Sequence, residues 1–328
     1  MTQRRVFAAL VLLMVVLAIS CGPSTALPES APSPAGDSFT WIAVADQLDE
    51  PAEGLVERMV AAKPAFVVGV GDLVFESRPE EFQTVKKLML DPLARVGARF
   101  YPVAGNHDFP VRPRWFEFWE PPANTLYYSF DYGNSHFVIL DTNKACLTEG
   151  GRSEDQHYDP GSEEYAMQTQ AESFQPGSAQ YEWLVKDLAG TKKTHIFVFF
   201  HEPAFSYGGH DGSPAIQRVL CPLFEQYKVT AAFSGHSHGY ERFVPLRVDL
   251  SSGSPVAVPD ERNGVVYVVT AGGGKQLYDI TSSKLHAAVA KAFHFLRVDV
   301  QGDKARCFAI EAKTGKVLDS FELKSRRH

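Results

Sequence analysis

Five short polar clusters each follow an apolar run, and their residue types are those that bind metal ions. Asp46 closes the run Thr40-Trp41-Ile42-Ala43-Val44-Ala45, Gly71-Asp72 closes the next, and Gly105-Asn106-His107-Asp108 the third. His201-Glu202-Pro203 and Gly235-His236-Ser237-His238 close two later runs. Carboxylate, amide and imidazole together make a hard, mixed oxygen and nitrogen site, suited to iron, manganese or zinc rather than to a thiolate cage. Two such ions can share a carboxylate and activate water for in-line displacement at phosphorus. One cluster alone is a weak signal, because aspartate also starts turns and histidine is often a satisfied surface or core residue. The ordered set carries the argument.

Those side chains need strands to position them. Apolar runs of strand length fall at 40–45, 65–70, 100–104, 136–140, 195–200, 230–234 and 265–269, and such runs imply sheets buried on both faces. Helical spacing appears at 52–62, 80–93, 179–188 and 216–227. Strands alternating with helices predict an α/β layered fold. From Phe293 to Leu323 short strand-like pieces alternate with turns at Gly302-Asp303 and Thr314-Gly315, which predicts a β-rich, antiparallel C-terminal end. In open α/β sheets the carboxyl ends of strands converge on a crevice, so the five clusters are expected to meet there. Side chains two apart in an extended segment point the same way, so His236 and His238 are expected to aim two imidazoles at one place.

In their order the clusters resemble the motifs of the calcineurin-like metallophosphoesterase superfamily: D-x-H or D-x-G, G-D, G-N-H-[DE], a lone His after a strand, and G-H-x-H. The longer stretch Gly235-His236-Ser237-His238-Gly239-Tyr240-Glu241-Arg242 is similar to the purple acid phosphatase branch, as are Tyr127 to Gly133 and Ala271-Gly272-Gly273-Gly274. The resemblance implies a four-layer α/β/β/α sandwich of two mixed sheets. It also implies a dinuclear centre of iron, manganese or zinc that hydrolyses phosphate mono- or diesters through a metal-bridging hydroxide. By the same resemblance Asp72 bridges the two ions, Asn106, His201 and His236 complete one shell, and Asp46 and His238 serve the other. His107 is then the proton donor or phosphate stabiliser. His210 either shares that task or is a solvent-facing loop histidine.

Two positions depart from the pattern. Leu48 stands where most of the superfamily has a metal-binding histidine, and Phe75 stands where the purple branch has a ligand tyrosine. Neither side chain offers a donor atom, so the second ion's shell is incomplete. Water, Gln47 or Asp49 are the available replacements. The intact set favours a working phosphoesterase, and Leu48 with Phe75 motivate the alternative of a binding or scaffold protein derived from the enzyme fold.

The remaining sequence bounds the setting. Arg4 and Arg5 precede an apolar run from Val6 to Ile19, too short to span a bilayer comfortably and built like an export signal. Leu17-Ala18-Ile19-Ser20-Cys21 resembles a bacterial lipobox, so residues 1–20 are expected to be removed and Cys21 lipidated at the periplasmic face of a membrane or the cell surface. Residues 21–38 are rich in Pro, Ser, Ala and Gly and read as a tether. Residues 39–328 then form one metallophosphoesterase domain, expected to be monomeric. The net charge of −7 gives nucleic acid no bulk attraction, and the expected partner is a phosphate-ester substrate. The acidic stretch 144–174 is longer than an ordinary connection and reads either as a solvated insertion or as a lid. The loops near Tyr207 and Arg242 are expected to read the rest of the substrate. Cys146, Cys221 and Cys307 lack metal-site spacing, and Cys146 and Cys221 are either bridged or separate thiols.

Overall fold

A computed structural model describes residues 37–48, 50–108, 112–143 and 172–327. The export signal, Cys21, Asp49, Cys146 and nearly all of the tether and the 144–174 insertion lie outside these residues. The strands are β1 Ser38–Val44, β2 Phe66–Val70, β3 Arg99–Val103, β4 Tyr128–Tyr132, β5 Ser135–Ile139, β6 His195–Phe199, β7 Ala231–Ser234 and β8 Tyr240–Phe243. They continue with β9 Leu246–Asp249, β10 Val256–Pro259, β11 Val266–Thr270, β12 His286–Ala290, β13 His294–Gln301, β14 Lys304–Glu311 and β15 Val317–Lys324.

They build two mixed sheets and a small ribbon. The first sheet runs β15-β14-β13-β1-β2-β3 and the second β12-β8-β11-β7-β6-β5-β4, with β10-β9 apart. Within the first, β1, β2 and β3 are parallel while β13 to β15 are antiparallel. The C-terminal hairpins follow the expected turns, with Gly302 and Gly315 in the left-handed region. β5, β6, β7 and β11 are the parallel centre of the second sheet.

The period-two alternation of β1 separates two cores. Trp41 and Ala43 face the other sheet, where Trp41 meets Phe137, Phe199 and Phe233 edge-on at 5.7, 5.4 and 5.4 Å. Ile42 and Val44 face outward onto Leu55 and Met59 of helix α1 (Leu55–Ala61). On the far side, Val198, Phe200 and Ala232 pack under Leu184 of α5 (Ala179–Gly190) and Ile216, Leu220 and Phe224 of α6 (Pro214–Gln226). Helices thus cover the outside of both sheets, the expected four layers.

Local differences from expectation have physical causes. The single helix expected at 80–93 is α2 (Pro79–Val85), a π-helical turn (Lys86–Leu90) and α3 (Asp91–Arg95). Pro92 has no N–H for the normal helical ladder, and a register change just before it accommodates that loss. Helix α4 (Arg112–Trp119) was not expected from its run of aromatics beside Pro113. Cys221 and Cys307 are buried free thiols.

Candidate metal centre

The two sheets end together at one edge, and each contributes ligand groups there. Asp46, Asp72 and Asn106 follow β1, β2 and β3 of the first sheet. His201, His236 and His238 follow β6 and β7 of the second. The backbone is bent hard to deliver them: Asp46, Asp72 and His236 have φ of 61°, 51° and 68°, in the left-handed region that residues with a Cβ seldom occupy. Gly71 is left-handed too, and a Cβ there would strike the His201 imidazole, while a Cβ on Gly105 would strike the Asp72 carboxylate. The Gly-Asp and Gly-Asn pairs therefore exist to let these groups approach one another.

One half of the centre is tightly drawn. Ligand atoms of Asp72, His201 and His236, all buried, lie within 4.8 Å of one another. His201 Nδ1 donates to the Val70 carbonyl at 2.9 Å, so Nε2 is the nitrogen presented to the site. It stands 3.2 Å from Asp72 Oδ2 without hydrogen-bond alignment, and both side-chain polar atoms of buried Asn106 also lack a hydrogen-bond partner among the described residues. Unpartnered buried donors and acceptors are rare unless something binds them, and this cradle fits a metal ion.

The charges agree. Burial alone would raise the Asp72 carboxyl, but the facing imidazoles of His201, His107 and His236 outweigh it and hold it well below the usual carboxylate range. Burial, then the neighbouring rings of His210 and His201, keep His236 neutral with its lone pair available. Burial also opposes charge on His201, but Asp72 overrides it and draws positive charge to that ring. A proton and a metal ion compete for the same lone pair.

The other half is looser. His238 Nδ1 donates to the Gln276 carbonyl at 2.8 Å, and its Nε2 stands 3.4 Å from Asp46 Oδ1. Asp46 also accepts the His236 backbone N–H at 3.0 and 3.2 Å. The strand-spacing expectation for His236 and His238 is corrected here. With His236 left-handed the segment is a bend, and one imidazole turns toward Asp72 while the other turns toward Asp46. Leu48 is buried and offers no donor. Beside it Gln47 Nε2 donates to the Leu73 carbonyl at 3.3 Å, while buried Gln47 Oε1 has no partner among the described residues. The donor set of Asp72, His201 and His236 thus fits one ion, and Asp46 with His238 offers part of a second.

Around these ligands sit groups that could act on a bound ester. The His107 N–H donates to Asp72 Oδ1 at 2.9 Å, and its Nδ1 donates to the Phe75 carbonyl at 2.9 Å. That leaves Nε2 to meet a ligand. The His107 ring stacks on Phe75 at 5.0 Å. His210 packs against His236 at 4.1 Å between centroids and edge-on to Tyr278 at 5.4 Å, so this half-buried loop histidine lies beside the candidate site. Burial, then the charge of His238, holds it below the ordinary histidine value.

Two carboxylates missed in the sequence set this geometry. Buried Asp108 accepts the backbone N–H of Leu73, Val74 and Gly105 at 3.0, 3.2 and 2.9 Å, tying the Asp72 loop to the Asn106 loop. Burial and the nearby Asp72 charge push it up to about 7. Glu241 accepts from Ser206 Oγ, the Tyr207 N–H and His286 Nε2 at 2.7, 2.8 and 2.9 Å, which anchors the loop carrying His210. Both lie inside motifs visible in the sequence, but a motif does not say which way a side chain turns. The Arg242 guanidinium itself is held by Asp319 at 2.6 and 3.2 Å, with Tyr240 on the same carboxylate at 2.8 Å. Those two residues join β8 to β15 across the sheets.

Comparison with known proteins agrees with this construction. Residues 44–240 match the family model for calcineurin-like phosphoesterases. An uncharacterized protein of Mycobacterium tuberculosis is 26% identical over 265 residues, covering 70% of this chain and 46% of that protein. An acid phosphatase of Aspergillus ficuum is 31% identical over 145 residues, 38% of this chain and 23% of that protein. This chain therefore spans less than half the length of these relatives. The fold of purple acid phosphatase PPD1 from yellow lupin seeds superposes with a TM-score of 0.65 over 90% of this chain and 55% of that one, at 18% identity. On its own family match and its two-sheet architecture, the chain belongs to the calcineurin-like phosphoesterase family.

Proposed function

We propose that this chain is an exported, metal-dependent phosphoesterase acting on phosphate mono- or diesters. The observation that supports the proposal is the gathering of buried Asp72, His201 and His236, with Asp46 beside His238 and His107 held on Asp72. Asp72, Asn106, His201 and His236 hold one ion of iron, manganese or zinc, and Asp46 and His238 with Asp72 hold a second, weaker one. When bound, such ions acidify a water to make the nucleophile and offset charge on the phosphoryl oxygens. His107 orients on Asp72 and Phe75 and gives a proton or hydrogen bond to the phosphate or leaving oxygen. His210 helps place the same group. Residues 1–20 direct export, Cys21 carries the lipid, and residues 21–38 tether the monomeric domain 39–328 to a membrane outside the cytoplasm.

Metal analysis together with hydrolysis of p-nitrophenyl phosphate and its bis-ester tests the catalytic part. The expected result is turnover that vanishes with a chelator and falls about 10²- to 10⁴-fold in His107→Ala. If the metal-loaded protein hydrolyses neither ester and His107→Ala changes nothing, the scaffold reading motivated by Leu48 and Phe75 replaces it. For localisation, Cys21→Ala should move the protein from the membrane fraction to the soluble one. Retention at the membrane would refute the lipid anchor.

A further inference from the structure

Where relatives in the purple branch carry a ligand tyrosine, this chain has Phe75, and a lysine stands over that ring. Lys275 Nζ lies 4.2 Å from the Phe75 centroid. Its main-chain N–H donates to the Asp46 carbonyl at 3.0 Å, so its backbone is fixed beside one metal-facing aspartate. Its ammonium reaches the loop whose carbonyl holds His107. The side chain therefore spans the rim from the Asp46 loop to the His107 loop. Half-buried there, it pairs with no carboxylate among the described residues. A phenyl face is a weak partner for an ammonium, and a phosphate oxygen is a much stronger one.

We propose that Lys275 binds a non-bridging oxygen of the scissile phosphate and biases the site toward phosphomonoesters. This rests on the phosphoesterase reading above. A diester has two non-bridging oxygens sharing one negative charge, which the metal-binding side of the site absorbs. A monoester dianion has a third such oxygen and a second charge, and Lys275 supplies the matching cation. The requirement is greater in this chain because Leu48 and Phe75 leave the second ion's shell short of ligands. Phe75 serves as the apolar platform that holds the ammonium at the rim, where a tyrosine would instead offer its oxygen to a metal.

The test uses full-length, metal-loaded protein as wild type, Lys275→Met and Lys275→Arg. Metal content, the calorimetric Kd for inorganic phosphate, and kcat/KM for p-nitrophenyl phosphate and its bis-ester are measured for each. Lys275→Met keeps the aliphatic contact with Phe75 and removes the charge. It should retain its metal, weaken phosphate binding about 10- to 100-fold, and lower the monoester-to-diester ratio by a similar factor, the usual range for a charge-assisted hydrogen bond. Lys275→Arg should restore most of both. An unchanged phosphate Kd and ratio in Lys275→Met, in a wild type that turns over esters, overturns this inference and leaves the phosphoesterase reading intact. Equal losses for both esters with loss of metal overturn it by making Lys275 a support of the metal loops. A wild type that neither binds phosphate nor hydrolyses an ester overturns both.

Discussion

His236 combines a proposed ligand role with a backbone that few residues tolerate, and the two can be separated by mutation. Its φ of 68° costs an alanine more than a glycine, while either change removes the imidazole. His236→Gly should therefore unfold at higher denaturant than His236→Ala, by about 1 kcal/mol, with both equally depleted of metal. Equal midpoints would refute the strain. Phe75 makes a second residue-level prediction. The purple colour of the branch it resembles comes from tyrosinate bound to ferric iron, so iron-loaded wild type should be colourless and Phe75→Tyr should gain a visible absorption band. A strong visible band in the iron-loaded wild type, or none gained in Phe75→Tyr, would contradict this. The ligand types were legible in the sequence because polar residues interrupt apolar runs abruptly. The separation of His236 from His238 was not, because alternation assumes an extended backbone and the fold abandons it at that residue. The sites of Asp108 and Glu241 were equally hidden, since their partners are main-chain groups on loops distant in sequence.

At the level of elements, the long apolar strands were readable and the short, half-exposed ones were not. β10 is four residues long and exposed at both ends, Val256 and Pro259, and β12 exposes Ala287 and Val289 from a weakly apolar, alanine-rich segment, so neither has the buried, β-branched or aromatic character of the central strands. The β4–β5 hairpin is fastened to α5 by a different device. Buried His136 meets Asp131 at 2.7 Å and Asp187 at 2.8 Å, one carboxylate on each ring nitrogen. Burial opposes charge on this ring, but the two carboxylates prevail and push it up to about 9. A raised histidine contributes stability that is fully present below its unfolded value of 6.5 and is lost as pH rises through about 9. Because Asp131 is half exposed, the contribution is discounted to about 2 kcal/mol. Denaturation at pH 7 and pH 10 should show wild type losing more stability than His136→Gln by that amount. Parallel losses in the two proteins would mean the ring is not charged at neutral pH.

Across the whole molecule, the proposed centre would take three ligands from one sheet and three from the other, so a bound ion would add a tie between sheets already joined by their core and by Asp319 with Tyr240 and Arg242. Metal that binds the native state alone at a hundred times its Kd adds about 2.7 kcal/mol. Chelation should lower Tm, and hydrogen exchange should rise at the ends of β1 to β3 and of β6 and β7 together. Protection lost in one sheet alone would mean that its ligands are dispensable. The aromatic slab around Trp41 takes on a further meaning in this light. Coordination bonds tolerate errors of only about 0.2 Å, and the separation of the two triplets is set by the rings packed edge-on between the sheets, Trp41 against Phe137, Phe199 and Phe233. That slab is a calibrated spacer. Thinning it with a smaller ring would detune metal affinity at a distance, through the gap it sets, without touching a single ligand.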